Sequence, residues 1–534
     1  VAGAVAAAVA LAVGELVAAA DPSGVSLVTA VGDEVIDRFA ASLKDLAVAL
    51  FGTNDKVALI VGIVVVSLAL GGALGVASRR RRWVGFVGFA AFGVVGGLAF
   101  QRAPLTSAAV GWVAALVAAG SGIAVLVVLR RRTPTVVGGA GPATAGGSEA
   151  SDNVPDDGVA VPGGLAVAPR SAGAPGVGRT DRRGFLVTAG ALGAGAAGAA
   201  LLSRQLRRPD PAAAARRTVA LPRPDGSVPV PGEPSFAVDG LSPYVTPIED
   251  FYRIDTALAV PRVDPDRWEL RVSGLVEEPL RLSYDDLLAL DSVEVPVTLQ
   301  CVSNEVGGDL VGNAVWQGVP LADLLDRARP TAGATQVIGR SVDGFTAGFP
   351  TELVFDGRTA LVAYAMNGEP LPTRHGFPAR LVVAGLYGYV SATKWLEEIE
   401  LVRWEDVDGY WIPRGWSKEG PIKVTSRIDV PRSGADLAAG TVAVAGVAWA
   451  PDRGIGAVEV SVDDGPWTAC TLGDAASDET WVQWHLAWDA PPGEHVLRVR
   501  ATTLDGEVQT GAVAPPAPDG ATGHHGRRVR VRDA

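Results

Sequence analysis

Long apolar stretches dominate the start of the chain, near residues 1–20, 57–77, 84–101 and 105–129, and a fifth, built mostly of Gly, Ala and Leu, runs over 184–203. Each approaches the roughly 20 residues that a helix needs to cross a ~30 Å hydrocarbon core, so each reads as a membrane span. Arg79, Arg80, Arg81 and Arg82 follow the second stretch, and Arg130, Arg131 and Arg132 follow the fourth. Cytoplasmic loops collect Lys and Arg, which predicts both clusters inside and the acidic 21–56 loop outside. A cleaved signal peptide is the competing reading of 1–20. Glu15 is the one acid within a span; it stands near one end and reads as interfacial.

Residues 133–183 are rich in Gly, Pro, Ala, Ser and Thr and show little periodicity, the pattern of a flexible cytoplasmic linker. It ends in Arg182-Arg183 ahead of a weakly hydrophobic run, which resembles a twin-arginine export signal in mid-chain. The plainer reading is a pair of cytoplasmic arginines flanking a fifth helix. Both place everything after about residue 205 outside the cytoplasm.

From about residue 235 the periodicity changes. Residues 235–425 mix strand-like and short helical patterns. Residues 426–534 alternate apolar and polar positions in short runs, such as 441–449, 457–462, 481–488 and 495–500, with a turn at Asp463-Asp464-Gly465. Period-two runs at this spacing predict an immunoglobulin-like β-sandwich. Its tryptophans, Trp449, Trp467, Trp481, Trp484 and Trp488, read as core and interface. The expected organisation is a 1–132 four-helix transmembrane anchor, a 133–183 linker, a 184–203 fifth helix, a 235–425 α+β catalytic domain and a 426–534 sandwich.

Composition narrows the chemistry. Charged residues are only 19% of the 534, against about 25% in ordinary soluble domains, as a partly membrane-embedded chain requires. The formal net charge of −12, with the acidic excess lying after residue 183, argues against nucleic acid as a partner. Two cysteines, Cys301 and Cys470, exclude a disulfide scaffold, a four-cysteine zinc site and a four-cysteine iron–sulfur cluster. The five histidines all lie at or after His375 and the sequence has no Cys-x-x-Cys-His, so no haem is expected.

Two stretches carry candidate chemistry. In Thr298-Leu-Gln-Cys301-Val-Ser-Asn304-Glu-Val-Gly307-Gly308 an apolar run leads into Cys301 and a polar, Gly-rich loop follows. That pattern sets a thiol at a strand end, where it can meet a ligand; a lone cysteine can equally be a small buried hydrophobe. Asn367-Gly-Glu-Pro-Leu-Pro372-Thr-Arg374-His375-Gly-Phe-Pro378-Ala-Arg380, with Lys394-Trp395 beyond, gathers cations among prolines and glycines. Arginine forks, a histidine donor and close backbone amides suit a phosphate-bearing cofactor.

These stretches resemble the sulfite oxidase-like molybdopterin-dependent oxidoreductases, of the membrane-anchored bacterial type with a C-terminal dimerisation domain. Thr246-Pro247 with Phe251-Tyr252-Arg253 is similar to the family's entry segment. The resemblance covers roughly 235–534. It implies a molybdenum–molybdopterin cofactor with Cys301 as metal ligand, and Tyr252, Arg253, Asn304, Asp343, His375, Arg380 and Lys394 around the pterin. It implies two-electron oxygen-atom transfer, with Cys301, Arg253, Arg414 and Trp416 at the reacting centre. A soft thiolate suits such a metal.

The departures bear on substrate. Val306 stands five residues after the cysteine where sulfite oxidases have an arginine, Asp519 aligns roughly with a second arginine, Trp416 with the active-site tyrosine and Asp255 with an entry-segment histidine. A sulfite dianion needs compensating cations. The expectation is therefore a less charged small oxo substrate, a sulfoxide or N-oxide, reduced or oxidised on the outer face of a bacterial cell membrane. An external electron-transfer protein and a homodimer formed through the sandwich complete the expected partners. The alternative is a degenerate, membrane-tethered interaction module of the same fold. Cys470 is expected to be structural, with a Cys301–Cys470 disulfide as the alternative.

Overall fold

The computed structural model describes residues 1–21, 23–38, 55–103, 105–131, 182–206, 210–231 and 236–533. All of the expected linker up to residue 181 lies outside them. Four helices are long and apolar enough to cross a membrane: Lys56–Arg80, Arg82–Arg102, Ala108–Arg131 and Arg183–Ser203. The first apolar stretch forms a shorter helix, Ala2–Ala18, of 17 residues. Its small Gly and Ala residues let it pack against the Asp55–Arg80, Ala108–Arg131 and Arg182–Leu206 helices, so it is the hub of the bundle. Close approach of small-residue faces is how helices associate where lipid removes the hydrophobic drive. Glu15 ends up at the bundle's rim, where its Oε1 accepts the Val28 N–H at 3.2 Å.

Two sheets build the α+β region. In one, strands Val293–Gln300, Val311–Pro320, Ala360–Met366 and Arg380–Val383 run antiparallel in that order. In the other, Glu269–Gly274 lies parallel to Leu396–Val402, which pairs antiparallel with Gln336–Ser341. Nearly continuous apolar runs such as Ala360–Met366, buried at every position, mark strands covered on both faces. Trp316, Tyr364, Phe377 and Trp395 fill the core between the two sheets.

The C-terminal region is a β-sandwich of a four-stranded sheet and a five-stranded sheet. The alternating runs read from the sequence appear as strands Gly440–Trp449, Ile455–Val462, Val482–Ala490 and Gly493–Thr503. Asp463 and Asp464 both adopt positive φ (52° and 57°), the left-handed pair that a tight hairpin turn requires. Ile428, Val444 and Trp484 from one sheet meet Val460, Leu497 and Val499 from the other. Trp449 and Trp481 instead join the α+β core, so the two folded regions share one hydrophobic interior.

That shared interior locks the strand that leads to Cys301. Thr298 N–H donates to the Glu479 carbonyl (3.1 Å), Trp481 N–H donates to Thr298 Oγ1 (2.8 Å), and Trp449 Nε1–H donates to Gln300 Oε1 (2.8 Å). Neutral hydrogen bonds are individually worth about 0.5–1.5 kcal/mol, and several on one strand fix its register.

Candidate active site

Cys301 follows the last residue of the Val293–Gln300 strand and is 8% exposed. Its N–H donates to Leu310 O (2.9 Å), and the Ser303 N–H points at its Sγ (3.4 Å). Asn304 Oδ1 accepts the Leu310 N–H at 2.9 Å, closing the Cys301–Leu310 loop. Its Nδ2 is buried and, among the described residues, has no hydrogen-bond partner. The sandwich buttresses this loop: Arg427 donates to Gly308 O (2.8 Å), and Gly307, at φ 78°, lies against His525. A Cβ on Gly307 would stand 2.2 Å from the His525 ring, so the approach requires glycine.

The second motif folds round the entry segment. Asn367, in the left-handed region, accepts the Val315 N–H (2.9 Å) and donates to Thr246 O (2.9 Å), while Arg374 donates to Ile248 O (2.7 Å). These bonds present Phe251 and Tyr252 to the interior. Phe251 stacks on Tyr252 and meets both Trp316 and His375 edge-on. Gly376, at φ 115°, brings His375, Arg380 and Lys394 together, since a side chain there would press on the Cβ atoms of both cations at 3.1 Å.

Electrostatics mark the cluster. Arg380 is 5% exposed and lies over the Trp316 ring at 4.9 Å. It donates to the Leu381 and His375 carbonyls (both 3.3 Å), and no carboxylate among the described residues lies within ion-pairing distance. Burial lowers its pKa to about 10. Burial, reinforced by Arg380, Arg374 and Lys394, lowers that of His375 to about 3, so the ring is neutral. Burial likewise pulls Lys394 down to about 8 despite the Asp255 carboxylate 3.0 Å away. Tyr252, between Cys301 and Arg380, is raised by burial, then by Cys301. Tyr387 is pushed up to about 12 by burial, with Asp519 and Cys301 adding to it.

The sequence-derived residues therefore fall into two groups. Tyr252, Cys301, His375, Arg380 and Lys394 converge, with Arg253 joined to Lys394 through Asp255. Asp343, raised by burial, lies near Lys394 and Asp255. Arg414 instead stacks on Tyr410 at 3.7 Å and donates to the carbonyl of Asp37 (3.2 Å), on the segment that follows the first helix. Trp416 packs on Tyr389 and Trp411. Two neighbours escaped the sequence reading. Tyr387 was hidden because a tyrosine in an apolar run reads as core. Lys56 was hidden because it lies 199 residues before its partner Asp255.

A cleft of ≈ 70 Å³ opens beside the cysteine loop, lined in part by Gln300, Asn304, Val306, Lys423, Gln509 and Thr522. Lys423 is paired there with Asp519 at 3.0 Å. Neither cysteine is in a disulfide. Cys470 is half-buried in the sandwich, and burial raises its thiol to about 12.

Comparison with known proteins decides what these residues belong to. The oxidoreductase molybdopterin binding domain model matches residues 257–411. An uncharacterized oxidoreductase, YuiH, of Bacillus subtilis (strain 168) is 38% identical over 157 residues, 29% of this chain and 76% of that protein. Sulfite oxidase of Arabidopsis thaliana is 30% identical over 274 residues, 42% of this chain and 69% of that protein. This chain belongs to the sulfite oxidase-like molybdopterin oxidoreductases. Mitochondrial sulfite oxidase of Homo sapiens is 31% identical over 321 residues, 51% of this chain, and the match spans 58% of the length of that protein.

The residues present fit the family's cofactor. An arginine buried without a carboxylate costs several kcal/mol and calls for an anion. The orphaned Asn304 Nδ2 calls for an acceptor. A neutral histidine and a thiol at a strand end complete a donor set suited to a phosphate-bearing, metal-holding pterin.

Proposed function

We propose that this chain is a membrane-anchored molybdenum oxidoreductase whose domain faces away from the cytoplasm and acts on a small, weakly charged oxo compound such as a sulfoxide or an N-oxide. The observation that carries the reading is the meeting of the Cys301 thiol, Tyr252, neutral His375 and unpaired Arg380 in one buried cluster. In this reading Cys301 ligates the metal, and Tyr252, Asn304, Asp343, His375, Arg380 and Lys394 hold the pterin. Arg253 joins the pterin side through Asp255, whereas Arg414 and Trp416 pack on Tyr410 and on Tyr389 and Trp411. When bound, the cofactor supplies two-electron oxygen-atom transfer. The chain's own part is to orient it, keep His375 neutral as a donor and exclude water from the thiolate.

Substrate charge follows from the cations that are missing. Val306 is apolar, and Lys423 beside it is already matched by Asp519. A cleft so lined offers amide and hydroxyl groups from Gln300, Asn304, Gln509 and Thr522, which suit a neutral oxygen acceptor better than a dianion.

The side of the membrane follows from where the arginines lie. Arg79 and Arg80 end one helix, Arg130 and Arg131 end another, and Arg182 and Arg183 begin the last. The opposite ends carry Lys56, which touches Asp255, and Arg102, which pairs with Glu34. The catalytic region thus sits at the end away from the arginine clusters, as the positive-inside rule predicts for an external domain. Arg182-Arg183 then serves as a twin-arginine-like export signal, electrons pass through a separate protein, and the sandwich offers a dimer surface.

Steady-state assays with artificial electron donors and acceptors test the substrate class. Methyl sulfoxides or amine N-oxides should turn over with kcat/KM at least about tenfold above sulfite, a difference of about 1.4 kcal/mol in transition-state stabilisation. Sulfite turning over as well as or better than these compounds would overturn the assignment.

A further inference from the structure

The buried carboxylate of Asp255 joins the membrane helices to the cofactor pocket. Its side chain is 3% exposed and meets three cations: Arg253 Nε at 2.8 Å, Lys394 Nζ at 3.0 Å and Lys56 Nζ at 2.6 Å. Lys394 also donates to Ile254 O (3.0 Å), and Lys56 also donates to Ala257 O (2.7 Å). Burial alone would raise Asp255, but Lys394, Lys56 and Arg253 outweigh it and hold the carboxylate well below its usual range. Two of these cations belong to the catalytic region. The third is the second residue of the Asp55–Arg80 membrane helix.

Lys56 is badly placed for the helix that carries it. The first turn of a helix bears the positive end of the macrodipole and disfavours a lysine. Its companions on the same face of the anchor also reach the catalytic region. Asp33 accepts the Leu258 N–H at 3.0 Å, and Asp37 accepts the Tyr410 hydroxyl at 2.7 Å. Segments Leu258, Tyr410 and Arg253–Asp255 are thus gripped together from the membrane side.

We propose that Lys56 is a positioning residue that completes the cofactor pocket from the membrane anchor. This rests on the molybdenum oxidoreductase reading above. By matching the Asp255 charge, Lys56 leaves Arg253 and Lys394 with their positive charges available to an anionic pterin. Without it Asp255 cancels one of those charges and draws the Lys394 ammonium to itself. The anchor is therefore part of the site, and the catalytic region separated from it should hold its anionic cofactor less tightly.

The test uses the full chain, purified in detergent from a molybdenum-replete host, with molybdenum per chain measured before and after prolonged dialysis. Lys56→Met should lose retained molybdenum about tenfold relative to the parent, the ratio corresponding to about 1.4 kcal/mol. Lys56→Arg should retain it. The decisive variant is Lys56→Met with Asp255→Asn, which restores the charge balance without restoring the contact and should recover most of the metal. Retention by Lys56→Met equal to the parent's would overturn the proposal. So would a double variant no better than Lys56→Met, since the lysine would then matter only as a docking contact. A parent without molybdenum would strike the functional reading itself, whereas a loaded parent with an indifferent Lys56 strikes only this inference.

Discussion

His525 joins the sandwich to the cysteine loop through single atoms. Its Nδ1 accepts the Ile428 N–H at 3.0 Å, so that nitrogen carries no proton, and its ring packs on Gly307. Burial, with Arg527 and Arg427 nearby, lowers its pKa to about 4. A histidine lowered in the folded state adds stability that is complete above its unfolded value of about 6.5. That stability is lost as pH falls toward 4, because the unfolded chain takes the proton first. His375, at about 3, acts in the same direction. Thermal unfolding in detergent should therefore show a midpoint that drops below about pH 6.5. In His525→Asn, whose amide oxygen can replace Nδ1 as acceptor, the drop should be shallower. An unchanged slope would remove this histidine from the acid response. Cys301 stood out in the sequence as a thiol where an apolar run meets a Gly-rich loop, and His375, Arg380 and Lys394 as basic side chains gathered near prolines and glycines. Tyr387 and Lys56 were not, since neither a tyrosine in an apolar run nor a lysine beside a membrane span stands out before folding supplies its neighbours.

At the scale of elements, the Val293–Gln300 strand is where packing becomes chemistry. Thr298 and Gln300 alternate with Val297 and Leu299, and their polar groups are taken up by Asn313, Glu479, Trp481 and Trp449. Trp449→Phe keeps an aromatic ring in the core while trimming the indole, and leaves the buried Gln300 Oε1 without its donor. The expected cost is about 1–3 kcal/mol, seen as a lowered unfolding midpoint together with faster loss of bound molybdenum. A lowered midpoint with unchanged metal retention would show that the strand's register does not govern the Cys301 thiol. The strands of the sandwich were readable because period-two alternation with one buried face leaves a plain trace. The partition of its tryptophans was not readable. Trp449 and Trp481 serve the neighbouring core while Trp484 serves its own, and only strand register decides which face each one takes.

Over the whole molecule, the anchor and the catalytic region meet at charged and polar contacts. Asp33, Asp37 and Lys56 grip the backbone and side chains around the entry segment. Burial raises Asp33 to about 6, with Asp37 and Asp343 adding to it, while the hydrogen bond from the Leu258 N–H opposes the rise by favouring the carboxylate. The long apolar helices were legible from length and composition. Their docking was not, because three contact residues on a polar segment leave no periodic trace. The first helix, Ala2–Ala18, shows the converse: its sequence reads as one span among several, while its small side chains make it the centre of the bundle.

The measurement that bears most directly on this account is molybdenum per chain, by elemental mass spectrometry, in the parent and in Cys301→Ser from a molybdenum-replete host. The account predicts close to one equivalent in the parent, and loss of the metal with its thiolate-to-molybdenum charge-transfer band in the variant. A parent without molybdenum, from cells that load a control molybdoenzyme, or a Cys301→Ser protein with metal and spectrum intact, would contradict it.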